Sequence, residues 1–457
     1  MAWLHKIKDH KISILIFVLS FFVHLIFLIV FLHFFGQDKL LKADSHNYLS
    51  LASTLLSQHQ FSVNTGNLIM PESFRVPIYP LFLAICLSIT KKIWFIALIQ
   101  ILISALSTVF VYKISQFFLK GKWAVVPSLI FISEPRVLYI SILLMSETLF
   151  LLFILAGIYY LLKYFKNYNY LDLFFSICFL ALSCLIKPVS YYLFFIIFLL
   201  SIFFIFKTKN KKKIIITILI VVFSYSMIIL PWLIRNKIFF NEFELSNIKN
   251  YNLYFYNSSF LHSKLYGSKM GSENLNFIVQ DLQDKAREHY TERSYSKDMS
   301  YFVYIRSLYA NDYLKKESTE FILNNPIEYT KIHLKGMHDF FIKTHDINRW
   351  FAITNNKSLA YSLSDDEYSR YFPIVLLEKI YLIFIFLLFL SSLFFIPKKK
   401  RINFYILYAT ILYFAIVSSP ISLGRFKYPV EAFIYILAVY SLHSLYRIYI
   451  NKKNGYT

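Results

Sequence analysis

Long apolar runs separated by short basic clusters dominate the chain, and this pattern predicts a bundle of membrane-spanning helices. About 20 apolar residues in a helix cross roughly 30 Å of hydrocarbon, since each residue advances the helix by about 1.5 Å. The runs read as spans are Ile12–Phe35, Trp94–Phe118, Trp123–Tyr139, Thr148–Tyr164, Tyr170–Ile186, Tyr191–Phe206, Ile214–Trp232, Ile380–Ile396, Ile402–Ser418 and Phe433–Leu445. The pattern therefore predicts an all-α polytopic membrane protein with about ten transmembrane helices.

The apolar segment Val76–Thr90 is short for a span and carries Pro77 and Pro80. If it does not cross, the later basic clusters all lie with the N-terminus on the cytoplasmic side. If it crosses, every one of them moves outside, against the positive-inside rule. We therefore expect a juxtamembrane or re-entrant helix on the outer side. The clusters are Lys120/Lys122, Lys163/Lys166, Lys207–Lys213, Lys398–Arg401 and Lys452/Lys453.

The distribution of polar residues predicts three parts. Residues 1–232 form an N-terminal transmembrane module that includes a first outer loop at 36–93, and residues 373–457 form the C-terminal transmembrane helices. Residues 233–372 are predicted to form a small, mostly helical extracytoplasmic domain. Its amphipathic helix carries Leu275, Ile278, Val279 and Leu282 on one face, and a second helix is expected to begin at Asn325-Pro326 and to run toward Phe341.

Composition supports a membrane protein. Apolar residues make up 57% of the chain and charged residues 16%, against about 25% charged residues in a typical soluble domain. This excludes a soluble enzyme, a disordered tail and a disulfide scaffold. The net charge of +22 lies in short clusters beside the spans rather than on one folded face, so it does not indicate nucleic-acid binding. Cys86, Cys178 and Cys184 lie in apolar runs and are interpreted as small buried hydrophobes.

Polar residues at the predicted outer edges of the spans are the candidates for chemistry. Several are cations, against the usual inside bias, and together with carboxylates they would suit an anionic, phosphate-bearing lipid substrate. A transporter would instead carry ionisable residues in the middle of its spans, where few are found. The candidates are Asp44, His46, Arg75, Glu134, Arg136, Glu147, Lys187, Arg235 and Arg425.

Several of these residues stand in motifs that resemble those of the GT-C glycosyltransferases, in particular the protein-mannosyltransferase and aminoarabinose-transferase group. The motifs follow the family order along nearly the whole chain. They are DSHNY at 44–48, RVPIYP at 75–80, SETLF at 146–150, IKP at 186–188, PWLIRN at 231–236 and GRFKYP at 424–429.

The resemblance implies a GT-C fold and an enzyme that uses a polyprenyl-phosphate-linked sugar, with its catalytic carboxylate, Asp44, in the first outer loop. Many relatives carry a second acid beside this position; here Ser45 follows, which leaves Glu147 as the second acid. Asp44 would take the proton of the acceptor hydroxyl, and cations would stabilise the leaving phosphate. The predicted phosphate-binding residues are Arg75, Arg235 and Arg425, then Arg136 and Lys187, with His46 and Tyr48 beside the acid.

Three function classes follow from these residues. The favoured one is transfer of a sugar to a lipid, glycan or protein acceptor outside the cytoplasmic membrane. The second is a lipid-linked glycan polymerase or ligase, and the third is a lipid-glycan transporter. A nucleotide-sugar donor is disfavoured, since no glycine-rich phosphate loop is present. No metal-ligand spacing is found; a divalent cation stays open as a cofactor.

Overall fold

The computed structural model describes residues 2–64, 69–206, 210–266, 275–291, 299–343, 365–398, 401–421 and 424–454. These residues are almost entirely helical, as the apolar periodicity predicts. The strands within this part of the chain form one short antiparallel hairpin, β1 Ser62–Asn64 and β2 Ile69–Pro71, in which Val63 pairs with Met70. The hairpin follows the second helix and lies in the predicted first outer loop.

The described part of the first 240 residues contains ten α-helices. They are α1 Ala2–Phe35, α2 Ala43–Gln58, α3 Ile78–Ile89, α4 Ile93–Ser115, α5 Val126–Ser133, α6 Pro135–Ile142, α7 Glu147–Asn167, α8 Tyr170–Ile186, α9 Tyr191–Phe206 and α10 Lys211–Phe240. The described residues after position 240 form α11 Ile248–Asn252, α12 Ser258–Tyr266, α13 Leu275–Thr291, α14 Tyr301–Arg306, α15 Asn311–Leu323, α16 Pro326–Ile342, α17 Asp365–Ser391, α18 Arg401–Ser418 and α19 Gly424–Lys453.

Seven of the described helices are long and apolar enough to cross a membrane, so the chain is an all-α multi-pass membrane protein. They belong to α1, α4, α7, α10, α17, α18 and α19. Their outward-facing side chains are large and apolar, as contact with lipid requires; in α10, for example, Leu219 and Phe223 are 62% and 65% exposed. This confirms the predicted fold class.

The other three predicted spans are present as helices of different form. The predicted span at Trp123–Tyr139 is divided between two short helices, α5 and α6, whose axes are bent by 59° relative to each other. Pro135 explains the bend, because proline lacks a backbone N–H and starts a new helix at its first position. Helices α8 and α9 are apolar but contain only 17 and 16 residues. A total of ten spans therefore stays a prediction.

The helix expected within Val76–Thr90 is α3, which has 12 residues and is too short to cross. It packs mainly on α2 through its buried face. Its other face exposes Leu81, Ile85 and Ile89, which suits contact with lipid.

The region between α10 and α17 has a hydrophobic cluster of its own, formed mainly by α11 to α15 and the π-helical turn between them. Ile278 and Leu282 of α13 are buried in it against Tyr254 and Phe255, as the amphipathic pattern predicts. The second predicted helix begins at Pro326. The side chain of Asn325, which precedes this helix, does not cap its N-terminus. The side-chain amide donates instead to the carbonyl of Phe321. The division of the chain into three domains stays a prediction.

Helix α7 is the most enclosed of the long helices, and it packs against both α4 and α8. Gly157 allows its close approach to α8, since a Cβ there would lie 2.8 Å from the Leu180 side chain. At the same contact, the Ser176 hydroxyl donates to the carbonyl of Gly157 at 2.8 Å. This packing fixes the first residue of α7, Glu147, at one end of the bundle.

Candidate active site

Asp44 lies in the first turn of α2 between two arginines. Its Oδ1 is 2.7 Å from Arg75 Nη2, and its Oδ2 is 3.2 Å from Arg425 Nη1. Arg75 precedes α3, and Arg425 is the second residue of α19. Three segments that are distant in sequence therefore meet at one carboxylate.

The turn that carries Arg75 is held by its neighbours. Glu72 Oε1 accepts hydrogen bonds from the backbone N–H groups of Phe74 and Arg75, the latter at 2.9 Å. The guanidinium lies over the Tyr48 ring, 4.8 Å from its centroid, and donates to the Tyr48 hydroxyl at 3.3 Å. Arg75 is thus fixed in place before any ligand binds.

A second ion pair lies beside the first. Lys187, in the turn between α8 and α9, places Nζ 2.8 Å from Oε1 of the buried Glu147 carboxylate. Oε2 of Glu147 has no hydrogen-bond partner within the described part of the chain. The hydroxyls of Tyr48 and Ser146 lie 3.3 Å apart and link the two pairs. Oε2 is also buried, so Glu147 is held within the wall of the cavity.

Backbone contacts hold the two acids in a fixed relation. Ser45 is fully buried, and its hydroxyl donates to the carbonyl of Leu144 at 2.8 Å. The Leu144 N–H in turn donates to the carbonyl of Leu40 at 3.1 Å. The start of α2 is therefore joined to the segment that leads into α7. Ser45 therefore has a structural role.

Both ion pairs open into a cavity of about 510 Å³, a size that suits a small organic ligand. Its cations are Arg75, Lys187, Lys249, Arg306 and Arg425, and its carboxylates are Asp44 and Glu147. Much of the remaining wall is apolar and includes Phe150, Val189, Phe414, Val417 and Ile421. The cavity is thus a positively charged site with an apolar side.

The charges around Asp44 keep it ionised. Burial acts to raise the pKa of the Asp44 carboxyl, but Arg75 and then Arg425 outweigh it, so that the pKa lies below its usual value. For Arg75, burial acts to lower the pKa, and the neighbouring Tyr48 and Asp44 reverse the effect and raise it. The site thus holds a carboxylate between two guanidinium ions at neutral pH.

The structure brings Asp44, Tyr48, Arg75, Glu147, Lys187 and Arg425 together in the cavity wall, and their chemical roles stay predictions. His46 does not line the cavity; it is exposed on α2. Successive helix residues are turned by about 100°, so that a residue two positions after Asp44 points elsewhere.

Arg136 lies outside the cavity, contrary to the role predicted for it. It forms an ion pair with Glu431 of α19, and both side chains are only 2% exposed. Glu134, at the bend between α5 and α6, accepts hydrogen bonds from the hydroxyls of Tyr381 and Tyr435. These contacts join the bent pair to α17 and α19, so the two residues serve the packing of the bundle.

Arg235 also lies outside the cavity lining. Its guanidinium donates to the backbone carbonyls of Glu72 and Phe61, at 2.6 and 3.2 Å, and rests on the Trp232 ring at 4.8 Å. It holds the turn that presents Arg75. Arg235 therefore supports this turn, and its predicted role as a phosphate ligand stays a prediction.

Two cavity cations were not predicted from the sequence. Lys249 of α11 pairs with Glu244 at 3.2 Å, and Arg306 ends α14 with its guanidinium 4.2 Å from the Phe74 ring centroid. Neither stands in a recognisable motif or at the end of a long apolar run. Only the folding of the region after α10 brings them to the cavity.

The described residues do not include a group of three or more His, Cys, Asp or Glu side chains that could hold a metal ion. Each oxygen of Asp44 is already engaged by an arginine. The donor set of the cavity thus fits an anion, and we assign no step to a divalent cation.

Comparison with known families agrees with the resemblance seen in the motifs. Residues 74–234 match the family model described as dolichyl-phosphate-mannose-protein mannosyltransferase. The matched segment contains Arg75, Glu147 and Lys187 and leaves out Asp44 and Arg425. A search of curated proteins finds no significant match.

Among solved structures, the chain is similar to the oligosaccharyltransferase of Archaeoglobus fulgidus in its apo form, with a TM-score of 0.53 and 13% identity over 96% of this chain and 52% of that one. The same archaeal enzyme, AglB, in complex with an inhibitory peptide and a dolichol-phosphate gives 0.52 and 12%, over 97% and 52%. ArnT from Cupriavidus metallidurans bound to undecaprenyl phosphate gives 0.38 and 10%, over 93% and 77%.

The chain spans about half the length of the archaeal oligosaccharyltransferase. At these identities the likeness concerns the fold. The chain has the GT-C fold, which confirms the fold class expected from its motifs. The predicted kind of enzyme, a membrane glycosyltransferase, agrees with the family model.

Proposed function

We propose that this protein transfers a sugar from a polyprenyl-phosphate-linked donor to a hydroxyl of a lipid, glycan or protein acceptor. The observation that carries the proposal is Asp44, held between Arg75 and Arg425 in a charged cavity of a GT-C fold. This arrangement combines a proton acceptor with two bidentate anion binders, which are the groups that such a transfer needs.

The phosphate of the donor is bound by Arg75 and Arg425. Five cations and two carboxylates line the cavity, so the site attracts an anion. The two arginines share one carboxylate through single Nη groups, which leaves other Nη–H groups for phosphate oxygens. The apolar wall formed by Phe414, Val417 and Ile421 offers a place for the first units of the polyprenyl chain.

The reaction exchanges one bond at the sugar for another. The oxygen of the acceptor hydroxyl attacks the anomeric carbon C1, and the bond between C1 and the phosphate oxygen breaks. The electron pair of that bond stays on the phosphate, where Arg75 and Arg425 stabilise the added charge. The proton of the hydroxyl passes to Asp44. A phosphate leaving group is already acidic, so no general acid is required.

Glu147 has a different part in this scheme. Its Oε1 is held by Lys187, and the residue lines the cavity. We assign the Glu147 carboxylate to a hydrogen bond with a hydroxyl of the sugar or of the acceptor. Because Lys187 fixes the carboxylate, this contact would orient the ligand relative to Asp44.

The cavity is proposed to face the outer side of the cytoplasmic membrane. The support is the placement of the basic clusters, which the positive-inside rule assigns to the cytoplasm. A carrier-linked sugar suits this side, since it needs no supply of cytoplasmic nucleotides.

The test is a comparison of lipid-linked sugars and cell-surface glycans, by mass spectrometry, in cells with and without the gene. Complementation with the wild type should restore the missing glycan, and Asp44→Asn should leave the sugar on its carrier. Asp281→Asn is the matched control, because this exposed aspartate forms only a surface pair with Lys285. Identical glycans in all five strains would contradict the proposal.

A further inference from the structure

Arg306 is a cavity cation without an acidic partner. No carboxylate lies within ion-pair distance of its guanidinium within the described part of the chain. It rests between two aromatic rings, 4.2 Å from the centroid of Phe74 and 4.8 Å from that of Phe302. The other four cavity cations each pair with Asp44, Glu147 or Glu244.

The surroundings of Arg306 disfavour its charge. Burial, followed by repulsion from Arg75, lowers the pKa of Arg306. The Phe74 ring touches both guanidinium groups, at 5.1 Å from Arg75 and 4.2 Å from Arg306. Glu72 and Asp44 offset the cost of burial and repulsion at Arg306 only in part, and a bound anion would offset more of it.

A small hollow of about 70 Å³, lined by both apolar and polar residues, adjoins the main cavity at this point, and Arg75 and Arg306 line both. The side chains of Asn47 and Ser50, one turn apart on α2, enter its wall together with Ser73 and Ser307. Glu72 is the carboxylate of the described lining, and its Oε1 already accepts two backbone N–H groups. At roughly 30 Å³ per water molecule, the hollow takes a small polar group.

We propose that Arg306, with the hollow beside it, forms a second phosphate-binding subsite, separate from the one at Arg75 and Arg425. The inference rests on the proposed function and extends it: the reaction would use two phosphate groups. The second belongs either to a donor with a diphosphate carrier or to a phosphorylated acceptor.

The test measures binding to the purified full chain in nanodiscs, with three probes. Undecaprenyl phosphate reports the first subsite, and undecaprenyl diphosphate reports a donor with two phosphates. Glucose 6-phosphate, titrated at saturating undecaprenyl phosphate, reports a phosphorylated acceptor. The variants are Arg306→Gln and Arg306→Lys, with Arg287→Gln as the control, since Arg287 also lies over a ring but is exposed and outside the cavity.

We expect Arg306→Gln to leave the dissociation constant of undecaprenyl phosphate within about twofold. It should weaken one of the other two probes by roughly tenfold, the size expected for losing hydrogen bonds to a charged group. The affected probe identifies the source of the phosphate. Arg306→Lys, which keeps the charge, should lose less and serves as the comparison if the glutamine variant is unstable.

Two outcomes would overturn the subsite. In one, Arg306→Gln binds all three probes as Arg287→Gln does. In the other, it weakens undecaprenyl phosphate as much as Arg75→Gln does, so that Arg306 belongs to the first subsite. Failure of the proposed function looks different: undecaprenyl phosphate would bind equally well to the wild type, Arg75→Gln and Arg425→Gln.

Discussion

The hydroxyl of Ser45 donates a hydrogen bond of 2.8 Å to the carbonyl of Leu144, 99 residues away. Ser45 adjoins the proposed base Asp44, and Leu144 lies three residues before Glu147. The same hydroxyl accepts from the backbone N–H of Lys42 at 2.8 Å. This contact sets the distance between the two acids, so the catalytic geometry depends on a residue that does not touch the cavity.

Replacement of Ser45 by alanine should therefore lower turnover without weakening donor binding. The change leaves a buried carbonyl and an N–H group unpaired, at a cost of about 1–3 kcal/mol. We expect a fall in kcat of roughly tenfold, a KM for the donor within about twofold, and a lower melting temperature. Ser57→Ala is the control, because Ser57 is exposed on the same helix and bonds only to the Ser53 carbonyl. A normal kcat in Ser45→Ala would contradict this role.

The two arginines at Asp44 should act on one phosphate. Arg75→Ala and Arg425→Ala should each reduce kcat/KM for the donor by about 2–4 kcal/mol in transition-state stabilisation, by analogy with removal of one donor to a developing anion. The double variant should lose less than the sum, because either change already spoils the shared site. Initial rates against donor concentration for all three variants give the comparison. Additive losses below about 1 kcal/mol would reject the shared clamp.

Glu147→Gln should be milder than Asp44→Asn if Glu147 only orients a ligand hydroxyl. An amide keeps a hydrogen-bonding oxygen but gives up the charge that pairs with Lys187. We expect a rise in KM with a modest fall in kcat, measured with saturating donor. A loss as large as that of Asp44→Asn would instead show that both carboxylates take part in proton transfer.

The proposed sidedness can be tested with single cysteines. Cys86, Cys178 and Cys184 are replaced by alanine, and an impermeant thiol reagent is added to intact cells. Asp312→Cys, at an exposed position of α15, should react from outside. Asn451→Cys, in the last turn of α19, should react only after the cells are opened. Labelling of Asn451→Cys in intact cells would reverse the topology and move the cavity to the cytoplasmic side.

The sequence predicted the cavity residues that stand in motifs at the ends of apolar runs. Asp44, Arg75, Glu147 and Arg425 are such residues, since the end of a span fixes a residue's depth in the bundle. It does not fix the direction of the side chain around the helix axis. Arg235 therefore lies at the depth in the bundle that the sequence predicts, but its side chain donates to the backbone carbonyl of Glu72.

The other misses have related causes. Arg136 follows a proline at which the helix bends, and the bend directs its side chain toward Glu431 in α19. The two residues are 295 positions apart, so no local sequence pattern encodes their contact. Arg306 lies in a region of short helices, where the apolar periodicity is weak and no motif marks the site. Its position depends on how that region folds over Phe74.

The pH dependence of turnover should report the charge environment of Asp44. Transfer needs the ionised carboxylate, and the two arginines lower its pKa despite its burial. The ionised form therefore persists below the ordinary aspartate value of about 3.9, and activity is lost only as the pH falls through the lowered value. Removal of one arginine raises the pKa, because burial then meets less opposition. The acid limb of the rate profile should move to higher pH in Arg75→Gln. Normalised profiles of kcat for the wild type, Arg75→Gln and the control Arg287→Gln decide the matter: an acid limb at the same pH in all three would mean that the group being titrated is not Asp44.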